Sequence, residues 1–191
     1  VKPDISIVDN FLSNPDEIRA RALRAKYQDM VLKDGQLYKR ISADTPGQVV
    51  DALNVWMGRP VNVLNMGYRL NYEGEPPNAA IHADLGWGTY ALVLYLTRDD
   101  ELQRLAEPSG TAFWKHINTG ADRARPGDSN TIAAVQGDWN NADAWEQVDF
   151  VPAKFNRAAI YRSELFHSRY PFEAFGTTPE DGRLTLVSFF M

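Results

Sequence analysis

Ala79-Ala80-Ile81-His82-Ala83-Asp84-Leu85-Gly86-Trp87-Gly88-Thr89-Tyr90-Ala91-Leu92-Val93-Leu94-Tyr95-Leu96-Thr97 is the stretch on which the fold turns. Ala79 to His82 and Tyr90 to Leu96 read as strands, and Gly86-Trp87-Gly88 reads as the loop between them. His82 then ends one strand and Asp84 lies in the turn after it. Residues i and i+2 can point to one side there. Working outward, Val61 to Tyr72, Thr111 to His116, Gln147 to Val151, Ala158 to Arg162, His167 to Tyr170 and Leu184 to Phe190 carry the same β-branched and aromatic signature. Gly, Pro, Asp and Asn separate them.

The N-terminal third has a different period. A short strand, Ile5 to Asp9, precedes Ser13-Asn14-Pro15-Asp16-Glu17, which predicts a helix start reaching to about Lys26: a capping side chain, proline in the first turn, then acids that complement the dipole. A second helix is expected over Pro46 to Met57, with Val49, Val50, Leu53 and Trp56 on one face and Gly58 and Pro60 ending it. Helices first and about eight strands afterwards predict a mainly β fold with N-terminal helices, a helix-backed jelly roll or double-stranded β-helix. A single domain is expected over 1–191, with helical support over 1–60, a jelly-roll core over 61–191 and an insertion at about 118–141. That insertion, Asn118 to Asn141, is polar and glycine-bearing, with a short helical stretch near Thr131 to Gln136. Its length suggests a lid on the substrate side, outside the core.

Composition excludes several classes. The chain of 191 residues is 44% apolar and 12% aromatic, enough for a sizeable core, and its net charge of -5 gives no electrostatic footprint for nucleic acid. It contains no cysteine, so neither disulfides nor thiolate metal sites exist. No apolar run approaches the roughly 18 to 20 residues of a membrane span. A cytoplasmic protein is expected, with no membrane partner. No signal-like segment opens the chain, although it begins at Val1, so a trimmed start stays open.

His82 and Asp84, with His167 at the start of a later strand, form the candidate metal set. Two imidazoles and one carboxylate can occupy one face of an octahedral metal and leave three positions open, as an oxygen-activating Fe(II) centre requires. Arg183 adds a planar cationic fork suited to a carboxylate. His116 reads as an exposed strand end beside Lys115. Trp87, in its glycine-flanked loop just after Asp84, is the tryptophan best placed to meet a substrate.

These residues resemble the Fe(II)/2-oxoglutarate-dependent dioxygenases, and the likeness extends beyond them. Tyr72-Glu73-Gly74 is similar to the Tyr-x-x-Gly stretch that leads into His-x-Asp in prolyl-hydroxylase-like members. Tyr90 to Thr97 resembles the long apolar strand that follows. Gly110-Thr111-Ala112-Phe113 resembles the next Gly-Thr strand, and Asn156-Arg157-Ala158-Ala159-Ile160-Tyr161 the turn and strand before the distal histidine. Arg183-Leu184-Thr185 is similar to the Arg-x-Ser/Thr pair of that superfamily. The resemblance covers about 61 to 190.

It implies Fe(II) held by His82, Asp84 and His167, and 2-oxoglutarate held by Arg183 and Thr185 with help from Tyr72. It further implies hydroxylation of a small-molecule or peptide substrate. Halogenating members lack the carboxylate ligand, and Asp84 is present here. Arg183 lies 16 residues after His167, more than is common in the family, so Pro171 to Gly182 must form a longer hairpin. Otherwise Arg162 or Arg169 takes the role. A cupin-like metalloenzyme without 2-oxoglutarate and a non-catalytic jelly-roll binding domain are the alternative readings.

Overall fold

The computed structural model describes residues 2–31, 37–75 and 77–191. Apolar alternation and turn residues build ten strands and four helices among them. In chain order these are β1 (Ile5–Val8), α1 (Pro15–Leu23), β2 (Gln28–Val31), β3 (Leu37–Ala43), α2 (Gly47–Met57), β4 (Val63–Asn71), β5 (Tyr90–Tyr95), α3 (Asp99–Leu102), β6 (Gly110–His116), α4 (Ser129–Asp138), β7 (Trp145–Pro152), β8 (Ala158–Arg162), β9 (His167–Tyr170) and β10 (Arg183–Phe190). The strands form two antiparallel sheets. The larger has the order β1-β8-β5-β10-β4-β3-β2, the smaller β7-β6-β9. This is the jelly roll that the strand pattern predicts.

Period two decides what each face does. On the larger sheet Tyr68, Leu70, Leu92, Leu94, Ile160, Leu184, Leu186 and Phe190 pack with Ile18 and Ala22 of α1 and Val49 and Leu53 of α2. Pro15 opens α1, and α2 closes at Gly58, whose φ of 77° suits glycine. The opposite face turns inward. There Ala91, Val93, Tyr95, Ala159 and Tyr161 meet Phe113, Val151 and Leu165 from the side of the smaller sheet. The outer face of the smaller sheet carries a third cluster, with Trp114, Trp145, Phe166, Ala124 and Val135.

Two expectations change. Ala79 to His82 is not a strand; it makes a single antiparallel bridge, His82 to His167. The insertion is not a lid outside the core. Asp128 caps α4 by accepting from the Thr131 amide at 3.1 Å, and Ala124 and Val135 are buried on the smaller sheet. The insertion also holds the segment before His82: the Ile81 amide donates to the Trp139 carbonyl at 2.8 Å and the Ala79 amide to Asn140 Oδ1 at 2.7 Å. The hairpin β2–β3 was not anticipated at all; β2 is an exposed edge strand. No described helix is long and apolar enough to cross a membrane.

Candidate metal centre and its arginines

His82 and His167 face each other across their bridge and exchange both backbone hydrogen bonds, at 3.1 and 2.9 Å. Directly opposed residues project to the same side, and the two imidazole centroids lie 4.6 Å apart. Asp84 is fixed two residues on by its amide, which donates to the Ser163 carbonyl at 2.8 Å. Its carboxylate enters between the rings, 3.5 Å from His82 Nε2 and 3.2 Å from His167 Nε2. All three ligand atoms lie within 4.8 Å of one another. Cis donors around a six-coordinate metal sit about 3 Å apart, so a small inward adjustment completes the site.

The tautomers suit a metal. His82 Nδ1 lies 2.7 Å from the Ala80 carbonyl and His167 Nδ1 2.9 Å from the Leu165 carbonyl. A carbonyl oxygen only accepts, so each Nδ1 carries the proton and donates, and each Nε2 lone pair is left toward Asp84. Two lone pairs aimed at a carboxylate repel unless a cation, proton or metal, lies among them. Ala80 reaches its position with a φ of 44°, in the left-handed region that a side chain disfavours. Burial pushes the Asp84 carboxyl up, but the charges of His167 and His82 outweigh it and hold the group well below the usual carboxylate range. Its crowded setting pushes His82 down, and Asp84 more than reverses this, leaving the imidazole raised.

Arg183 heads β10 and shares the inward face with Thr185, because Leu184 and Leu186 are committed to the helix side. It is 8% exposed, and its Nε has neither solvent nor a protein partner. Burial pulls its guanidinium down to about 10, with Tyr95 opposing and Arg169 and Arg69 adding to the fall; it is still a cation at neutral pH. The competing arginines are occupied. Arg169 donates to Glu75 Oε2 at 2.9 Å and to the Phe172 carbonyl at 2.8 Å. Arg162 lies over the Tyr90 ring, 5.1 Å from its centroid. The long connection from Tyr170 to Arg183 is tied by Asp181, which accepts from the amides of Thr177 and Thr178.

The structure therefore brings His82, Asp84 and His167 together and sets Arg183 and Thr185 on the inward face. Thr185 Oγ1 lies 3.5 Å from the Arg69 carbonyl. Tyr72 is not brought to them. Its ring packs with the helix-side core under the Arg40 guanidinium, 3.6 Å away. Trp87 is 41% exposed in its loop after Asp84, 5.6 Å from the Phe189 ring. Gly88 must be glycine there, since a Cβ would meet the Phe190 carbonyl oxygen at 2.9 Å. His116 is fully buried, not exposed: Nε2 lies 3.0 Å from Asp138 Oδ2 and Nδ1 2.9 Å from Thr119 Oγ1, fastening α4 to β6.

Sequence reasoning missed three residues. Tyr161 stands beside His167, ring centroids 4.7 Å apart, and burial reinforced by the Asp84 charge keeps its hydroxyl protonated. Glu75 accepts from Arg40, Arg169 and Asn71. Arg69 joins the same inward face. Its place between Tyr68 and Leu70 could have flagged it only once a second sheet was known to cover that side.

Residues 81–190 match the family of unknown function DUF6445. No curated protein sequence matches the chain. Among solved structures, it is similar over 98% of its length to the non-heme alpha ketoglutarate dependent carbocyclase SnoK from nogalamycin biosynthesis, with 12% identity, a TM-score of 0.60 and 79% of that chain covered. The epimerase SnoN, in complex with Fe3+, alpha ketoglutarate and nogalamycin RO, gives 15% identity, a TM-score of 0.57 and coverage of 98% and 78%. EctD from S. alaskensis with bound Fe gives 11%, 0.53, and 98% and 72%. At these identities the likeness establishes the fold, a double-stranded β-helix.

Proposed function

The chain belongs to DUF6445, a family of unknown function, and from its site we propose that it is a non-haem Fe(II)- and 2-oxoglutarate-dependent oxygenase that hydroxylates a small-molecule or peptide substrate. The observation that carries this reading is Arg183: a buried arginine whose guanidinium has no side-chain or backbone partner among the described residues, on the interior face that also receives the His82, Asp84 and His167 donors. Leaving such a cation unpaired costs several kcal/mol, which a bound carboxylate would recover. SnoN in complex with Fe3+ and alpha ketoglutarate, and SnoK as an alpha ketoglutarate dependent enzyme, support the choice of cofactors.

The chain's own contributions follow. His82, Asp84 and His167 hold the metal, with each imidazole neutral at Nε2 and fixed through its Nδ1 proton. Arg183 and Thr185 take the distal carboxylate of 2-oxoglutarate. Tyr161 offers a protonated hydroxyl beside His167. When bound, iron and 2-oxoglutarate supply oxygen activation; the protein supplies position and a dry interior. Arg183 separates this reading from a metal jelly roll without co-substrate. Finer kinship with prolyl-hydroxylase-like members rested on Tyr72, which lies on the other face of the sheet.

Anaerobic addition of Fe(II) and then 2-oxoglutarate tests the reading. A weak visible charge-transfer band is expected on the second addition, and none in His82→Ala or His167→Ala. Fe(II) binding without that band would leave a metal protein and remove the co-substrate.

A further inference from the structure

Arg69, half-buried on the inward face, is a second arginine there without an ion-pair partner among the described residues. On β4, Tyr68 and Leu70 face the helices, so Arg69 and Asn71 face inward. Arg69 stands opposite Thr185 in the register, and the neighbouring pair on that face is Asn71 with Arg183. Its Nε is shut off from solvent and has no partner, and among the described residues its guanidinium makes no hydrogen bond or ion pair. Its contact is the Tyr38 ring, 5.2 Å from the guanidinium carbon. Burial pulls its pKa down, and the like charge of Arg169 adds to the fall.

The carboxylates nearby are spoken for. Glu75 accepts from Arg40 at 3.1 Å, from Arg169 at 2.9 Å and from Asn71 at 2.9 Å. Asp84 sits between the two imidazoles. Arg40, Arg69, Arg169 and Arg183 thus meet two carboxylates. Loading the site does not correct the surplus, because a divalent metal and a 2-oxoglutarate dianion cancel each other. Four guanidinium groups against two carboxylates leave a cationic excess on this face that favours a further anion.

We infer that Arg69 binds a carboxylate of the substrate to be oxidised, so that the enzyme acts on an organic acid. This deepens the proposed function and rests on it. Arg183 and Thr185 already suit the distal carboxylate of 2-oxoglutarate, and its other carboxylate belongs on the metal. Arg69 lies one strand further out, on the flank closed by β3 and the turn at 73–75. One free planar fork matches one carboxylate. A phosphate dianion would ask for a second, and Arg40 and Arg169 are held by Glu75.

The test uses Co(II)-loaded protein, saturated with 2-oxoglutarate where it binds, with acetate as the anionic probe and acetamide as its neutral counterpart at constant ionic strength. Acetate should raise the unfolding temperature of the wild-type protein and acetamide should not. Arg69→Met should lose the acetate response while keeping its 2-oxoglutarate affinity within about threefold. Arg69→Gln serves as the second variant should methionine disturb folding. A wild-type protein indifferent to acetate overturns the assignment, as does an equal response in both variants. A fall in 2-oxoglutarate affinity as deep as that of Arg183→Met gives Arg69 to the co-substrate and also overturns it. If the wild-type protein takes up Co(II) but no 2-oxoglutarate, the oxygenase reading fails by itself. The acetate comparison on the Co(II) protein then decides Arg69 by the same criterion.

Discussion

The two faces of the seven-stranded sheet share every backbone hydrogen bond and do opposite work. Toward the helices, Leu94, Leu184, Leu186 and Phe190 are buried among apolar neighbours. One residue along, β10 turns Arg183 and Thr185 inward, and β4 turns Arg69 inward between the helix-facing Tyr68 and Leu70. One face lowers the free energy of folding through apolar burial. The other raises it by enclosing cations without counterions, an unfavourable arrangement in the free protein that a ligand can relieve. Stability and chemistry are thus divided by side-chain parity along single strands.

The largest way to disturb this division lies outside the sheet. Replacing Asn118 to Asn141 with a short turn should abolish cooperative unfolding or lower the melting temperature by tens of degrees. Ala124 and Val135 would leave the third cluster, buried His116 would lose Asp138, and the segment before His82 would lose its Trp139 and Asn140 anchors. Circular dichroism on heating would show it. A trimmed protein of unchanged stability would contradict the structural role given to this segment.

Next in size is the helix face. Leu94→Ala removes a fully buried side chain and should cost about 2–5 kcal/mol in denaturant unfolding, with metal stoichiometry unchanged. An effect on metal content as large as that on stability would blur the division between the faces.

The pH dependence sharpens it from the inward face. The metal-free fold raises His82 above its ordinary 6.5, so the proton it holds stabilises the fold below that pH. That contribution is lost as pH rises through the raised value. Asp84 is depressed below its ordinary 3.8, so its contribution is present above 3.8 and lost as pH falls further. The melting temperature of the metal-free protein should therefore decline as pH rises above the ordinary imidazole value of 6.5, and added Co(II) should reverse the decline by taking the proton's place. A metal-free protein growing more stable over that rise would contradict the assignment.

The smallest effect is expected at Ala80. Ala80→Gly relieves a left-handed φ but frees the unfolded chain, so stability should shift by less than about 1 kcal/mol. A larger loss would mean that the alanine side chain itself supports His82.

Much of this was legible in the sequence, for reasons that differ along the chain. Tyr90 to Leu96 and Leu184 to Phe190 declare themselves because buried central strands must be apolar. β2 and β3 did not, since Gln28-Asp29 and Lys39-Arg40 belong to an edge hairpin wetted enough to read as loop. The His-x-Asp spacing and Arg183 could be read because few residue types serve as such donors. Arg69, Glu75 and Tyr161 could not, because their meaning depends on which face the smaller sheet covers. His116 misled for the same reason: α4, folding back, and the Trp145 ring cover it. Tyr72 misled through parity, one residue past the inward-facing Asn71.

The affinity of the metal-loaded protein for 2-oxoglutarate, measured in wild type, Arg183→Met and Leu94→Ala alongside their melting temperatures, tests the division of the two faces most directly. Arg183→Met should lose at least about a hundredfold in affinity, close to 3 kcal/mol, while melting at or above the wild-type temperature, since a buried unpaired cation is gone. Leu94→Ala should melt well below the wild type and bind 2-oxoglutarate with nearly wild-type affinity. An Arg183→Met protein that binds 2-oxoglutarate as tightly as the wild type would contradict the account.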